Sequence, residues 1–132
     1  KAFDTVSHQH IITSLKERGV DDHIISLIAN MYHNTNTRIK LSDGQSDPIS
    51  IQIGVKQGDP MSPLLFNLAV DPLLNKLETI GNGFHIHCKT VTAMAFADDL
   101  VLLSDSWEGM KNNIAIVEAF CALTGLKTQG EK

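Results

Sequence analysis

Little in this sequence points outside the cell. Cys88 and Cys121 are its only cysteines, too few for a disulfide framework, and a reducing intracellular compartment is the expected setting. No apolar run approaches the length of a membrane span and no signal-peptide pattern is present, so no membrane partner is expected. Repeats, low-complexity tracts and linkers are missing as well. So is a basic excess: 11 Lys and Arg against 15 Asp and Glu give a formal net charge of −4. Phosphate is gripped largely by Lys and Arg. A chain of this charge either has no nucleic-acid partner or leaves the basic surface to other segments. There is also no initiator methionine, and Gly130-Glu131-Lys132 finishes no element. These ends are read as those of an internal piece of a longer polypeptide.

What is present suits one domain of 132 residues, 42% hydrophobic and 20% charged, able to bury a core. Ser7 is expected to cap a helix over 8–18, with Ile11, Ile12 and Leu15 on one face and Gly19 as the stop. Asp21 is expected to cap a second helix to about 33, whose Ile24, Ile25, Leu27, Ile28, Met31 and Tyr32 follow a helical period. Strands are expected over 37–41 and 49–53 around the turn Ser42-Asp43-Gly44. After a loop over 54–60, Ser62 would cap a long helix with Pro63 in its first position. Leu64, Leu65, Leu68, Ala69, Leu73 and Leu77 would form its buried stripe, with a kink at Pro72. Strands over 84–88 and 91–97, a tight turn at Asp98-Asp99, an apolar return over 100–103 and a helix over 107–123 ended by Gly125 complete the order. The class is α+β, helices backing a small antiparallel sheet.

Ala95-Phe96-Ala97-Asp98-Asp99-Leu100-Val101 is the most informative stretch. At ~4 Å and an effective dielectric near 20, two carboxylates repel by roughly 4 kcal/mol. A cation, a raised pKa or full solvation must offset that. Two readings stay open on these residues alone: a solvated hairpin tip, or a site for a hard cation such as magnesium. The second block is Gly54-Val55-Lys56-Gln57-Gly58-Asp59-Pro60-Met61-Ser62-Pro63-Leu64-Leu65-Phe66-Asn67. Its glycines allow close backbone approach to a ligand, and the following helix start offers free N–H groups. Taken alone, it reads as an ordinary capped start to a helix.

Together these blocks resemble the second and third polymerase motifs of reverse transcriptases. Phe96-Ala97 and the opening Lys1-Ala2-Phe3-Asp4-Thr5-Val6-Ser7-His8 are most similar to non-long-terminal-repeat retrotransposons, in particular those that insert into ribosomal RNA genes. The resemblance spans the whole chain. It implies a polymerase palm, with residues 1–132 as a partial reverse transcriptase domain, and RNA-directed DNA polymerase activity in the full-length parent. Its cofactor would be Mg2+, with Mn2+ as a substitute, and its partners an RNA template, a DNA primer and deoxynucleoside triphosphates. Fingers, thumb and endonuclease regions of the parent would complete it, and the nucleus is its expected location.

The resemblance also assigns residues. Asp98 and Asp99 match the metal-binding, catalytic aspartates of the third motif, Asp98 the surer ligand. Phe3 matches the ring beneath the incoming sugar, whose bulk excludes a 2′-hydroxyl; from the residue itself, plain core is the expectation. Gln57 and Gly58 match the pair beside nucleotide and template, and Lys132 a lysine near the triphosphate, although Gln129 stands where the family usually has Asn. The first-motif metal aspartate would lie three positions before Lys1. Asp4 matches the motif's second aspartate and is expected to support local backbone or the edge of the site. The isolated chain is therefore expected to lack polymerase activity. The alternatives are an inactive polymerase-like scaffold or decayed element, which the intact Asp98-Asp99 argues against, and a different magnesium-dependent phosphoryl-transfer enzyme. His8 and His10 are expected at the surface, Trp107 as an anchor on the sheet, and His85 and His87 on one strand face without zinc spacing.

Overall fold

The structure, a computed structural model, describes residues 2–56 and 58–129. A 3-10 turn at Ala2–Asp4 leads into α1 (His8–Glu17), followed by α2 (Asp22–Tyr32). A two-stranded arm comes next, in which β1 (Asn36–Thr37) pairs with β4 (Ile49–Ser50) and β2 (Lys40–Leu41) with β3 (Gly44–Gln45). Helix α3 (Ser62–Ile80) precedes two antiparallel hairpins, β5 (Phe84–Ile86) with β6 (Lys89–Val91) and β7 (Ala93–Phe96) with β8 (Asp99–Leu102). Helix α4 (Trp107–Thr124) follows. The content is mixed helix and antiparallel strand, as expected, but among the described residues the strands form four two-stranded pieces rather than one small sheet. The expected strands over 37–41 and 49–53 shrink to two-residue ladders, because Pro48 has no N–H to contribute and Arg38-Ile39 separates the two pairings.

Local signals explain most boundaries. Asp21 accepts a hydrogen bond from the His23 N–H at 2.9 Å and caps α2, and Gly125, at φ 79°, ends α4. Ser7 occupies the cap position of α1 but makes no capping bond with its side chain. At α3 the cap position belongs to Met61, which makes no capping bond with its side chain, and Asp59 accepts from the Met61 N–H at 2.8 Å in the turn ahead of the helix. Ser62 is already helical, and its hydroxyl donates to the Lys56 carbonyl at 2.6 Å. Helix α3 runs on through Pro72, whose missing N–H deprives the Leu68 carbonyl of its usual helical donor.

Two apolar clusters make the core. Val6, Ile11, Leu15, Ile25, Ile28, Val55, Leu65, Phe66 and Ala69 join α1, α2 and the first half of α3. Leu73, Leu77, Ile116 and Val117 join its second half to α4, with Ala93, Leu100 and Leu102 of the last hairpin packed against them. Helix α3 thus carries both clusters. Leu64 points outward and Phe66, two positions on and across the helix, points inward, a correction to the expected stripe. On α2 only Ile25 and Ile28 are buried, while Ile24, Leu27 and Met31 lie exposed. Trp107 is 72% exposed at the start of α4, with the Lys111 ammonium 5.9 Å from its ring centroid, so it anchors no sheet.

Candidate active site

The start of the chain and the glycine loop build one cleft. Backbone bonds run from Val55 N to Phe3 O at 2.8 Å and from Gly54 N to Val6 O at 2.7 Å, with a bridge between Ser7 and Ile53 beyond them. Gly54 sits at φ 87°, and a Cβ there would lie 3.0 Å from the Asp4 carbonyl oxygen and 3.1 Å from the Asp4 Cα. Its glycine is therefore required by the Asp4 backbone. The resulting cleft, about 520 Å³, is lined by Phe3 and Asp4 on one side and Val55, Lys56, Gly58, Asp59 and Pro60 on the other. Gly58 also has positive φ, but the space a Cβ would fill is open. The Phe3 ring stacks on Phe66 at 4.3 Å and 16°, so it is both half-buried against the core and exposed to the cleft.

Behind the loop stand two residues whose part is not apparent from sequence. The half-buried Tyr32 places its hydroxyl near the Lys56 backbone and the Ser62 hydroxyl. Burial, and then the nearby Asp59 carboxylate, push its phenol above the ordinary pKa. The His8 ring packs on Tyr32 at 4.4 Å, and its Nε2 lies 2.8 Å from the Gly54 carbonyl oxygen. His10 places Nε2 2.7 Å from the Ala69 carbonyl and meets Phe120 edge-on at 5.4 Å. Both histidines are half-buried structural ties, not the surface residues expected.

The aspartate hairpin is displaced by one residue from its expected form. Phe96 pairs with Asp99, so the two turn residues are Ala97 and Asp98, and Asp99 opens β8. Positive φ falls on Ala97, at 51°, a cost of ~1–2 kcal/mol for a residue with a Cβ. Strand alternation puts Ala93, Ala95, Leu100 and Leu102 on one face and Met94, Phe96, Asp99 and Val101 on the other. The first face packs against α3 and α4; the second is exposed, with Phe96 85% accessible. Asp98 and Asp99 are exposed too. Their carboxylates are hard oxygen donors, the chemistry magnesium prefers. Among the described residues no group of three His, Cys, Asp or Glu side chains is placed to share a metal ion.

Asn113, fully buried in α4, ties the α3–β5 connection at Asn82 to Leu103 just past the end of β8. Its Nδ2 donates to Asn82 O at 2.8 Å and Leu103 O at 3.3 Å, and its Oδ1 accepts from Asn82 N at 2.8 Å. The signal available in sequence was a polar residue on an otherwise apolar helix face. On the neighbouring hairpin, Asp105 is paired with His85, accepting from both its ring and its backbone N–H. Those hydrogen bonds hold the Asp105 carboxyl below the ordinary aspartate pKa. His87 lies in the β5–β6 turn at φ 55°, so it does not share a strand face with His85.

Of the residues singled out from sequence, the structure joins Phe3, Asp4 and Gly58 in one cleft. Asp98 and Asp99 are not among the cleft's lining residues; they stand on the separate β7–β8 tip. Gln57 and Lys132 lie outside the described residues.

A sequence that pairs this cleft with an Asp-Asp hairpin matches the family described as reverse transcriptase (RNA-dependent DNA polymerase) over residues 1–132, and the chain belongs to that family. It is 40% identical, over its full length, to a retrovirus-related Pol polyprotein from the type-1 retrotransposable element R2 of Popillia japonica. It is 37% identical over 98% of its length to the corresponding R2 polyprotein of Nasonia vitripennis, and 34% identical throughout to that of the type-2 element R2DM of Drosophila melanogaster. The chain spans 19%, 12% and 12% of those relatives.

Proposed function

We propose that this chain is a partial palm of an RNA-directed DNA polymerase, residues 1–132 forming one reverse transcriptase segment of a longer retrotransposon polyprotein. The observation that carries the reading is the meeting of Phe3 and Gly58, from segments far apart in sequence, in one cleft within a chain that matches the family throughout. In the parent, a primer 3′-hydroxyl attacks the α-phosphate of a deoxynucleoside triphosphate and pyrophosphate leaves in line. Asp98 and Asp99 are the residues suited to hold Mg2+, or Mn2+ in its place, and a metal there would favour the attacking oxyanion and neutralise the leaving group. Phe3 presents its ring edge or face to the sugar and excludes a 2′-hydroxyl by bulk. Gly58 leaves room for the nucleotide; by family resemblance Gln57 is assigned to nucleotide and template, and Lys132 to the triphosphate. Asp4 holds the backbone at the cleft edge.

The template, primer and remaining fingers, thumb and endonuclease regions belong to the parent, and the nucleus is where such an element acts. The 132-residue chain alone does not polymerise in this account: its net charge of −4 leaves the grip on nucleic acid to other segments. The test is primer extension by the full-length parent on an RNA template, with deoxy- and ribonucleotides compared. Template-directed incorporation favouring deoxynucleotides supports the reading. Hydrolysis of nucleic acid without incorporation would replace it with a nuclease.

A further inference from the structure

One peptide plane in the cleft wall is held at both ends. The unit between Gly54 and Val55 presents its carbonyl to His8 Nε2 at 2.8 Å and its N–H to the Phe3 carbonyl at 2.8 Å. A carbonyl only accepts, so Nε2 carries the proton in this bond. The plane follows a glycine at φ 87°, the residue type with the widest choice of backbone conformations, so its orientation is the least fixed locally. The His8 side chain supplies the missing restraint. His8 is itself fixed from two directions: its backbone N–H donates to Gln52 O at 3.3 Å, and its ring packs on Tyr32. Tyr32 in turn reaches Lys56 and Ser62 on the far side of the same loop.

We infer that His8 is a positioning residue for sugar discrimination: it locks the Gly54–Val55 peptide, and through the Val55–Phe3 bond it fixes the ring beneath the incoming nucleotide. The inference rests on the proposed polymerase reading and on Phe3 as the sugar-facing ring. On its other side the Phe3 ring packs against the core, where it stacks on Phe66, a contact that permits sliding. Its backbone bond to Val55 sets where along Phe66 the ring sits. A loosened plane widens the space below the sugar, and a ribonucleotide gains more from that than a deoxynucleotide does.

The experiment measures kcat/KM for a deoxynucleotide and for the matching ribonucleotide in the full-length protein carrying H8F, H8Q, Y32F or F3V. The ratio is taken within each preparation, so a reduced folded fraction cancels. His8→Phe keeps a ring on Tyr32 but has no donor. It is expected to cut discrimination against ribonucleotides about fivefold, the factor that one hydrogen bond of about 1 kcal/mol converts to. His8→Gln keeps an N–H able to reach the Gly54 carbonyl and is expected to restore most of the ratio, and Tyr32→Phe, which keeps the ring against His8 but loses the hydroxyl that reaches Lys56 and Ser62, is expected to lower it less than H8F does. An H8F enzyme with wild-type discrimination, while F3V relaxes it, overturns the inference and spares the polymerase reading. F3V with unchanged discrimination overturns both the role of Phe3 and the inference built on it.

Discussion

Two glycines with left-handed backbone separate conformational strain from crowding. Gly19 sits at φ 69° with nothing within 4 Å of the position a Cβ would take. Gly19→Ala therefore carries only the left-handed penalty, about 1–2 kcal/mol. Gly54 adds approaches of 3.0, 3.1 and 3.2 Å to the Asp4 carbonyl oxygen, Cα and carbonyl carbon. Those atoms are backbone and cannot swing away as a side chain can, so overpacking adds about 1–3 kcal/mol. Gly54→Ala is expected to cost about 2–5 kcal/mol, centred on the pairing between the cleft's two walls. Hydrogen exchange in the full-length protein reads this directly at the Val55 amide, bonded to Phe3 O at 2.8 Å. Exchange there should rise at least about thirtyfold in G54A. In G19A the faster amides should instead be Gly19 and Val20, which bond back to Lys16 O and Leu15 O. Equal Val55 exchange in the two variants would refute the claim that Gly54 is required by the Asp4 backbone.

Asn113→Ala strands the Asn82 N–H and carbonyl, each bonded at 2.8 Å. Asn82 is exposed, so water takes up part of what is lost; at about 0.5–1.5 kcal/mol for each of the two hydrogen bonds a cost near 2 kcal/mol is expected, and exchange at the Asn82 amide should quicken about thirtyfold; an unchanged rate would remove Asn113 as the tie. Asp105 should titrate in NMR below the ordinary aspartate pKa of 3.8 and return toward it in H85A. Because the folded pKa is the lower one, the stability from this pair is present above the unfolded value and is lost as pH falls through the folded value. A midpoint unmoved by H85A would contradict the pairing.

The types and order of the elements were legible where local chemistry decides them. Asp21 caps, Gly19 and Gly125 stop, and Ile11 with Leu15 marks a buried face. Tertiary partners decided the rest. The exposed row Ile24, Leu27 and Met31 shares the helical period of the buried Ile25 and Ile28, so periodicity could not tell the two apart. Ser62 is a good capping residue by type, and only the position of the Lys56 carbonyl draws its hydroxyl away from that role. The hairpin register moved by one because Ala97, not an aspartate, takes the left-handed position. His8 and His10 looked like surface residues because the carbonyls they bond lie 46 and 59 positions away. At the candidate site, the Phe3–Gly58 grouping was legible from motif resemblance, whereas Tyr32 and the clamped peptide behind it depend on contacts that no local pattern carries.

The central claim is that the exposed aspartate hairpin serves nucleotidyl transfer. Single-turnover incorporation by the full-length protein with Asp98→Ala, on an RNA template with Mg2+, tests it most directly. Exchange protection across β7 and β8 serves as the check that the hairpin remains folded. Loss of metal-held charge stabilisation worth several kcal/mol corresponds to a fall of about a thousandfold or more, and that is the predicted result. A folded Asp98→Ala protein that incorporates deoxynucleotides within about tenfold of the wild-type rate, a deficit of only about 1.4 kcal/mol, would contradict the account.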